Sequence, residues 1–184
     1  MARKWSNENL PGALHYVTGV TGNGQQIFNR TDGCLDVLDV CRQLRQDWPF
    51  KLVAYVLMPD HLHMIVNPRD GAISELIASL EGLSSSRILA AEPGVPSTVN
   101  QTEISDPLPQ VWQKPFKATP LYSGWMIWRK INYIHSRAVR VGLVQSASDY
   151  RWSSYRSFYS RADDPLAVDR DWWWPEAGRI ADAG

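Results

Sequence analysis

The pattern of apolar and polar residues predicts three short strands. Apolar runs rich in β-branched and aromatic residues occupy 13–20, 50–57 and 61–66, and turn residues bound each of them. Only Pro59-Asp60 and the flanking residues separate the last two runs, which is enough for a tight turn. We therefore expect the second and third strands to pair antiparallel.

Apolar residues three and four positions apart predict three helices. The first helix spans 31–46, the second 72–91 and the third 122–135. The third has a buried stripe of small and β-branched residues, formed by Ile127, Ile131, Ile134 and Ala138. The segment that follows, 141–144, is expected to be an edge strand or an extended segment.

The β-α-β-β-α order of these elements predicts an α+β fold, an antiparallel sheet with helices packed on one face. Proline, glycine and polar residues make 92–110 a flexible connection within a domain that spans 1–147. Residues 148–184 are expected to form a C-terminal tail that packs on the domain or on a partner. Trp172-Trp173-Trp174 are its candidate docking residues, since large aromatic side chains dominate interfaces.

Length and composition are those of an ordinary globular protein. The chain has 184 residues, of which 44% are hydrophobic and 21% are charged. No apolar run approaches the roughly 20 residues that span a bilayer. The first residues lack the apolar segment of a secretory signal, so we expect a cytoplasmic protein without membrane contact. Cys34 and Cys41 lie two helical turns apart, about 10 Å, which is too far for a disulfide.

The net charge is zero, but the charges are unevenly distributed along the chain. Residues 112–161 contain nine lysines and arginines against one acidic residue, a local excess of +8. The same block is rich in aromatic residues that can stack on bases: Trp125, Trp128, Tyr133, Trp152, Tyr155 and Tyr159. A basic, aromatic block favours a nucleic-acid partner over a merely solvated helix face. The candidate DNA-binding residues are Lys114, Lys117, Arg129, Lys130, Arg137, Arg140, Arg151 and Arg156.

Two histidines, His61 and His63, flank one apolar residue in the third predicted strand. Side chains along a strand alternate between its two faces, so both imidazoles are expected on one face and Leu62 in the core. Two imidazoles side by side on a rigid strand supply two ligands of a metal site. A third ligand and a nucleophile are needed to complete a reaction centre.

Tyr133 is the candidate nucleophile. On the third predicted helix it falls on a basic face with Arg129, Lys130 and Arg137, opposite the apolar stripe. Neighbouring positive charges favour the ionised form of a phenol. A phenol in such surroundings can attack phosphorus while the cations or a metal ion offset the charge of the phosphate.

Three motifs follow one another along the chain. The first is His61-Leu62-His63, preceded by Tyr55-Val56-Leu57-Met58-Pro59-Asp60. The second is Trp112-Gln113 followed by Tyr133-Ile134-His135 and by Val139-Arg140-Val141-Gly142-Leu143-Val144, and the third is Asp149-Tyr150-Arg151-Trp152-Ser153-Ser154-Tyr155. Together they resemble the HUH endonucleases, in particular the REP-associated tyrosine transposases and the single-tyrosine transposases of small insertion sequences. The resemblance covers about 13–155.

The resemblance implies a ferredoxin-like fold of the HUH endonuclease type and an enzyme of DNA transposition and recombination. Tyr133 would attack single-stranded DNA near a hairpin, forming a 5′-phosphotyrosine and releasing a 3′-OH. His61 and His63 would hold a divalent ion, Mg²⁺ or Mn²⁺, that polarises the phosphate. Single-stranded or hairpin DNA is the implied partner. Members of the family act as homodimers or as monomers, and the sequence leaves both open.

One position departs from the family pattern. Relatives carry an amide side chain one helical turn after the tyrosine, where this chain has Arg137, and a guanidinium has no acceptor for a metal ion. Either another group or water completes the metal site, or Arg137 contacts the phosphate, or cleavage is impaired. Asp60 is a conceivable oxygen ligand besides its expected role in the turn. The alternative function is a domesticated protein that binds hairpin DNA and has impaired or lost cleavage.

Overall fold

In the computed structural model, which describes residues 9–91, 110–160 and 164–174, four strands form one antiparallel sheet. The strands are β1 (Leu14–Thr21), β2 (Phe50–Met58), β3 (His61–Pro68) and β4 (Trp112–Leu121), in the order β2-β3-β1-β4. The helices are α1 (Thr31–Asp47), α2 (Ile73–Ala90), α3 (Gly124–Arg140) and the short α4 (Tyr155–Tyr159). None of the helices in these ranges is long and apolar enough to cross a membrane.

Helices cover both faces of the sheet. On one face, α1 and α2 pack on the strands, and the free thiols Cys34 and Cys41 lie in this core with Leu62. On the other face, the apolar stripe of α3, including Ile131, packs on Ile65 and its neighbours. The predicted α+β fold is confirmed, as is the placement of α1 and α2 on one face. The prediction that the helices pack on one face is wrong for α3, which packs on the opposite face.

β4 is the strand that the sequence pattern does not predict. Pro115 and Pro120 interrupt its apolar pattern, and proline is disfavoured inside a sheet. β4 lies at the edge of the sheet, where a residue without a backbone N–H is tolerated. The predicted flexible connection at 92–110 lies, apart from Gln110, outside the described residues.

The prediction of an edge strand or extended segment at 141–144 is wrong, because this segment forms the C-terminal cap of α3. Gly142 adopts a φ of 76°, a conformation that glycine enters without steric conflict. The backbone N–H of Gly142 donates to the carbonyl of Val139, and that of Leu143 to the carbonyl of Ala138, both at 3.0 Å. This pair of bonds is the Schellman motif that commonly ends helices.

Residues that follow α3 cover the outer edge of β2. The backbone N–H of Leu57 donates to the carbonyl of Trp152 at 2.8 Å, and that of Ser154 to the carbonyl of Tyr55 at 3.0 Å. The hydroxyl of Tyr150 donates to the Leu57 carbonyl at 2.7 Å. An uncovered edge strand is a site of unwanted pairing, so these bonds hold β2 in place and close one side of the sheet.

The described part of the tail, 164–174, also lies against the domain. The carboxylate of Asp169 accepts a hydrogen bond from the backbone N–H of Leu52 at 2.7 Å. The indole N–H of Trp174 donates to the carbonyl of Asn67 at 3.0 Å. These contacts join the tail to β2 and β3, the two strands at one side of the sheet.

Gly19 of β1 lies under the ring of Phe116 from β4, and a Cβ at this position would overlap that ring. We expect Gly19→Ala to lower the free energy of unfolding by about 1–3 kcal/mol, because the ring and the strand must move apart. The matched control is Gly82→Ala in α2, where no heavy atom lies within 4 Å of the added Cβ. There the free energy of unfolding should rise by up to about 1 kcal/mol. Urea unfolding followed by circular dichroism measures both changes, and an unchanged midpoint for Gly19→Ala would contradict this packing.

Candidate active site

His61 and His63 lie side by side on β3, on the sheet face that α3 covers. The centroids of their rings are 4.8 Å apart. β3 is paired on both sides, and His63 stands opposite Thr18 of β1 and Val56 of β2. The neighbouring strands therefore fix the backbone beneath both imidazoles. Both side chains lie on one face of the sheet, as the alternation of side chains along a strand predicts.

Two hydroxyl groups of β1 contact the Nδ1 atom of His63. The hydroxyl of Tyr16 lies 2.9 Å from this nitrogen and that of Thr18 lies 3.1 Å from it. Burial is the main cause that lowers the pKa of His63 to about 3, with smaller effects from the charges of His61, Arg137 and Lys130. His63 is therefore neutral near pH 7, and Nε2 is the nitrogen left for a ligand.

Sequence reasoning missed Tyr16 and Thr18 as site residues. Alternation along β1 puts both on one face, but only the pairing of β1 with β3 puts them beside His63. Burial raises the pKa of Tyr16 to about 12, so its phenol stays protonated near pH 7.

Asp60 orients His61. One carboxylate oxygen of Asp60 lies 2.5 Å from Nδ1 of His61, while the backbone carbonyl of Asp60 accepts hydrogen bonds from the backbone and hydroxyl of Thr21, both at 2.9 Å. A carboxylate on one ring nitrogen commonly fixes a histidine whose other nitrogen binds a ligand. Asp60 thus contacts the ring nitrogen that faces the turn, which fits an orienting group better than a third ligand.

Tyr133 of α3 completes a cluster of rings with the sheet. Its ring centroid lies 5.3 Å from that of His63 and 6.4 Å from that of Tyr16, in edge-on geometry. The prediction that Tyr133 faces away from the core is wrong, because its half-buried ring packs against the core beneath α3. Tyr133 and Arg137 are four residues apart and lie along one side of the apolar stripe of α3, not on the face opposite it.

Two cations flank the phenol of Tyr133. The Nζ atom of Lys130 lies 3.9 Å from the ring centroid of Tyr16 and 5.8 Å from that of Tyr133. The guanidinium carbon of Arg137 lies 5.9 Å from the Tyr133 centroid. Within the described residues, neither cation has a carboxylate partner. Burial and the charge of Arg129 lower the pKa of Lys130.

The described residues bring no third His, Cys, Asp or Glu ligand to the histidine pair. Among them, no group of three or more His, Cys, Asp or Glu side chains is arranged to hold a metal. His61 and His63 bring two nitrogens, whereas Mg²⁺ and Mn²⁺ prefer oxygen ligands. The guanidinium of Arg137 brings positive charge and no acceptor. A metal ion held by the two histidines stays a prediction.

The other predicted DNA-binding residues lie in different surroundings. Lys117 is exposed and stands opposite Thr18, in the same row of the sheet as His63. Three further arginines are exposed around α3 and the segment that follows it, with Arg129 against the ring of Trp125, Arg151 against Trp152, and Arg140 at the end of the helix. The side chain of Lys114 lies outside the described part of the chain.

Arg156 differs from the other candidates because it forms an ion pair inside the fold. Its Nε atom lies 3.0 Å from a carboxylate oxygen of Asp164, whose side chain is fully buried. Asp164 also accepts a hydrogen bond from the backbone N–H of Ser157 at 2.6 Å. This arrangement ties the tail to α4 and leaves Arg156 a structural role.

His135 lies on the other flank of α3, away from the histidine pair. Its Nε2 atom is 2.9 Å from the hydroxyl of Ser154, which also accepts a hydrogen bond from the backbone N–H of Tyr55 at 2.9 Å. Aromatic rings of α4, including that of Phe158 at 5.1 Å, surround the imidazole. His135 therefore joins α3 to β2 through the third motif.

Comparison with known proteins agrees with this fold. The family model described as "Transposase IS200 like" matches residues 13–136. A solved structure of a REP-associated tyrosine transposase bound to a REP hairpin has a TM-score of 0.67 at 17% identity, and the match covers 96% of each chain. A candidate transposase from Deinococcus radiodurans R1 has a TM-score of 0.44 at 18% identity, over 73% of this chain and 98% of that chain. No curated protein matches.

The fold is thus shared with a tyrosine transposase, and the family match covers the strands, the histidine pair and Tyr133. The chain belongs to the IS200-like transposase family. The recognition drawn from the three motifs is confirmed.

His135 should make the stability of the fold depend on pH. Burial lowers its pKa to about 4, whereas an unfolded histidine has a pKa of about 6.5. Between these two pKa values the unfolded chain therefore binds more protons than the folded chain. The free energy of unfolding falls by up to about 3 kcal/mol as the pH drops through this window. We expect His135→Gln to make this dependence shallower, with the remainder due to His63, whose pKa burial also lowers, and Asn132→Ala, at an exposed position of α3, to retain the full dependence. Urea unfolding at pH 4–7 measures both, and equal slopes for His135→Gln and the unchanged protein would contradict this origin.

Proposed function

We propose that the protein is a transposase that cleaves single-stranded DNA beside a hairpin, with Tyr133 as its nucleophile. The observation that carries the proposal is the phenol of Tyr133, held between Lys130 and Arg137 with its ring centroid 5.3 Å from that of His63. Membership of the IS200-like transposase family supports DNA as the substrate. The solved relative with the same fold is bound to a REP hairpin, which supports a hairpin as the recognised structure.

The proposed reaction is a transesterification at phosphorus. The phenolic oxygen of Tyr133 forms a bond to the phosphorus, and the bond from phosphorus to the 3′ oxygen breaks. The phenolic proton leaves to solvent, and the released 3′ oxygen takes up a proton, so that a 5′-phosphotyrosine and a 3′-OH result. Lys130 and Arg137 offset the charge that builds up on the phosphate oxygens. Because one ester replaces another, a 3′-OH can later attack the phosphotyrosine and rejoin DNA.

The exposed face around α3 is the proposed DNA-binding surface. Lys117, Arg129, Arg140 and Arg151 supply positive charge there, and phosphate contacts dominate the affinity of proteins for DNA. Trp125 is 67% exposed, so the ring face that Arg129 does not cover can stack on a base. A homodimer stays a prediction.

A second function, binding of hairpin DNA without cleavage, has one observation in its favour. Among the described residues, no third His, Cys, Asp or Glu side chain is arranged with the two histidines to hold a metal, and Arg137 brings a positive charge to the same region. A protein of this kind would keep the fold and the basic surface. The two functions differ in whether a covalent bond to DNA forms.

Tyr133→Phe should abolish a covalent adduct between the protein and a labelled hairpin oligonucleotide with a single-stranded flank. The unchanged protein should form an adduct that survives denaturing electrophoresis, with Mn²⁺ or Mg²⁺ or with EDTA. Tyr133→Phe should bind the hairpin with an affinity similar to that of the unchanged protein, because the substitution removes only the phenolic oxygen and keeps the ring. Tyr122→Phe, at a 56% exposed position outside the ring cluster, is the matched control and should keep the adduct. Tight binding by the unchanged protein without adduct under any of these conditions would overturn cleavage and favour the second function.

Arg129→Ala should weaken hairpin binding and make it less dependent on salt. One lost phosphate contact makes the negative slope of log K against log salt shallower by about 0.7–0.9. The control is Arg87→Ala, an exposed arginine of α2, which lies on the opposite side of the sheet from α3. Fluorescence anisotropy at several salt concentrations gives both slopes. The same loss of slope in both variants would argue against the α3 face as the binding surface.

A further inference from the structure

We infer that Arg137 is a phosphate-binding residue, so that Arg137 and Lys130 together hold one backbone phosphate beside Tyr133 without the need for a divalent ion. This inference rests on the proposed function, because it assigns the phosphate of the DNA to this site. It goes beyond it by making Arg137 a direct ligand of the phosphate, in the place where the resemblance implies a ligand of a metal ion.

Arg137 has a hydrogen-bonding group at the site without a partner among the described residues. Its Nε atom is buried there and unpaired, although buried donors are nearly always paired. Its guanidinium carbon lies 5.9 Å from the ring centroid of Tyr133. A guanidinium offers a planar fork of donors that matches two oxygens of a phosphate. A phosphate bound at Tyr133 would supply acceptors that the described residues do not give Arg137.

Lys130 provides the second charge on the same flank of α3. Its Nζ atom lies within 5.8 Å of the ring centroid of Tyr133, and it stands above the ring of Tyr16. Both Lys130 and Arg137 are close enough to act electrostatically on His63. The two cations therefore enclose the space beside the phenol from two positions along the helix, seven residues apart.

Within the part of the chain that the structure describes, some arginines are neutralised by an aspartate, and Lys130 and Arg137 are not among them. Arg30, Arg45 and Arg156 each form an ion pair with an aspartate, at 2.7, 2.8 and 3.0 Å. Lys130 and Arg137 form none with any carboxylate in the described ranges. A site whose two cations have no carboxylate partner among the described residues attracts an anion, whereas a metal cation would be repelled.

Binding of an oligonucleotide in EDTA tests the phosphate contact without any metal ion. A hairpin with a single-stranded flank is the probe, and the variants are Arg137→Asn, Arg137→Lys and the control Arg87→Asn on α2. We expect Arg137→Asn to weaken binding about 10-fold or more, because a charge-assisted hydrogen bond is lost. Arg137→Lys should lose less, since it keeps the charge but not the fork, and Arg87→Asn should change binding less than about 2-fold. Equal binding by Arg137→Asn and the unchanged protein would overturn the inference.

Binding of Mn²⁺ alone, followed by electron paramagnetic resonance, tests without DNA whether Arg137 disfavours a metal ion at the histidine pair. The unchanged protein should bind the ion weakly, and Arg137→Asn should bind it about 10-fold or more tightly, because an amide oxygen replaces a positive charge. Adding His63→Ala to Arg137→Asn should remove the gain. Mn²⁺ binding by the unchanged protein that equals that of Arg137→Asn would overturn the inference.

Thermal melting of each variant checks that the fold is retained, and Arg137→Lys keeps the test decisive if Arg137→Asn does not fold. Neither measurement needs cleavage. Absence of the covalent adduct would therefore overturn the proposed cleavage and leave both binding results to decide the role of Arg137.

Discussion

The pairing of β3 on both of its sides is the constraint on which the rest of the site depends. Side chains alternate along a strand, so a shift of register by one residue would turn both histidines toward α1 and α2 and turn Leu62 toward α3. Leu62 is 1% exposed and belongs to the core under those helices. Such a shift would put two imidazoles into that apolar core and remove a leucine from it. The hydrophobic pattern of β3 therefore fixes the direction of His61 and His63 before any ligand binds.

The position of Tyr133 relative to these histidines depends on how α3 docks. Its apolar stripe gives the helix a buried face, but apolar contacts alone permit small shifts along the sheet. Ser154 adds a directional restraint, because its hydroxyl contacts both the backbone N–H of Tyr55 in β2 and Nε2 of His135 in α3, each at 2.9 Å. The motif that contains Ser154 also covers the edge of β2. Residues distant from the histidine pair thus help to set the distance between the phenol and the imidazoles, which gives a physical reason for the three motifs to occur together.

The elements that bury a regular apolar pattern could be predicted from the sequence, and those that depend on tertiary contacts could not. β1, β2, β3, α1 and α2 follow their periodicity closely, since the period reports which face is buried. β4 was hidden by Pro115 and Pro120, which only its edge position makes acceptable. Tyr16 and Thr18 join the site through pairing with a strand more than 40 residues away, and no local signal reports such a register. The spacing of the residues predicts that cations surround Tyr133. Which flank of α3 they occupy depends on how the helix packs on the sheet, and the spacing does not report that packing.

The hydrogen bonds of His63 are compatible with either an anion or a cation at the site. With Nδ1 accepting from the protonated Tyr16, Nε2 carries the proton and can donate to a phosphate oxygen. With Nδ1 donating to a hydroxyl oxygen, Nε2 has a free lone pair for a metal ion. The imidazole itself therefore does not choose between them, and the choice rests with the charges that surround it. Lys130 and Arg137 are positive and unpaired within the described residues, which weights the site toward the phosphate.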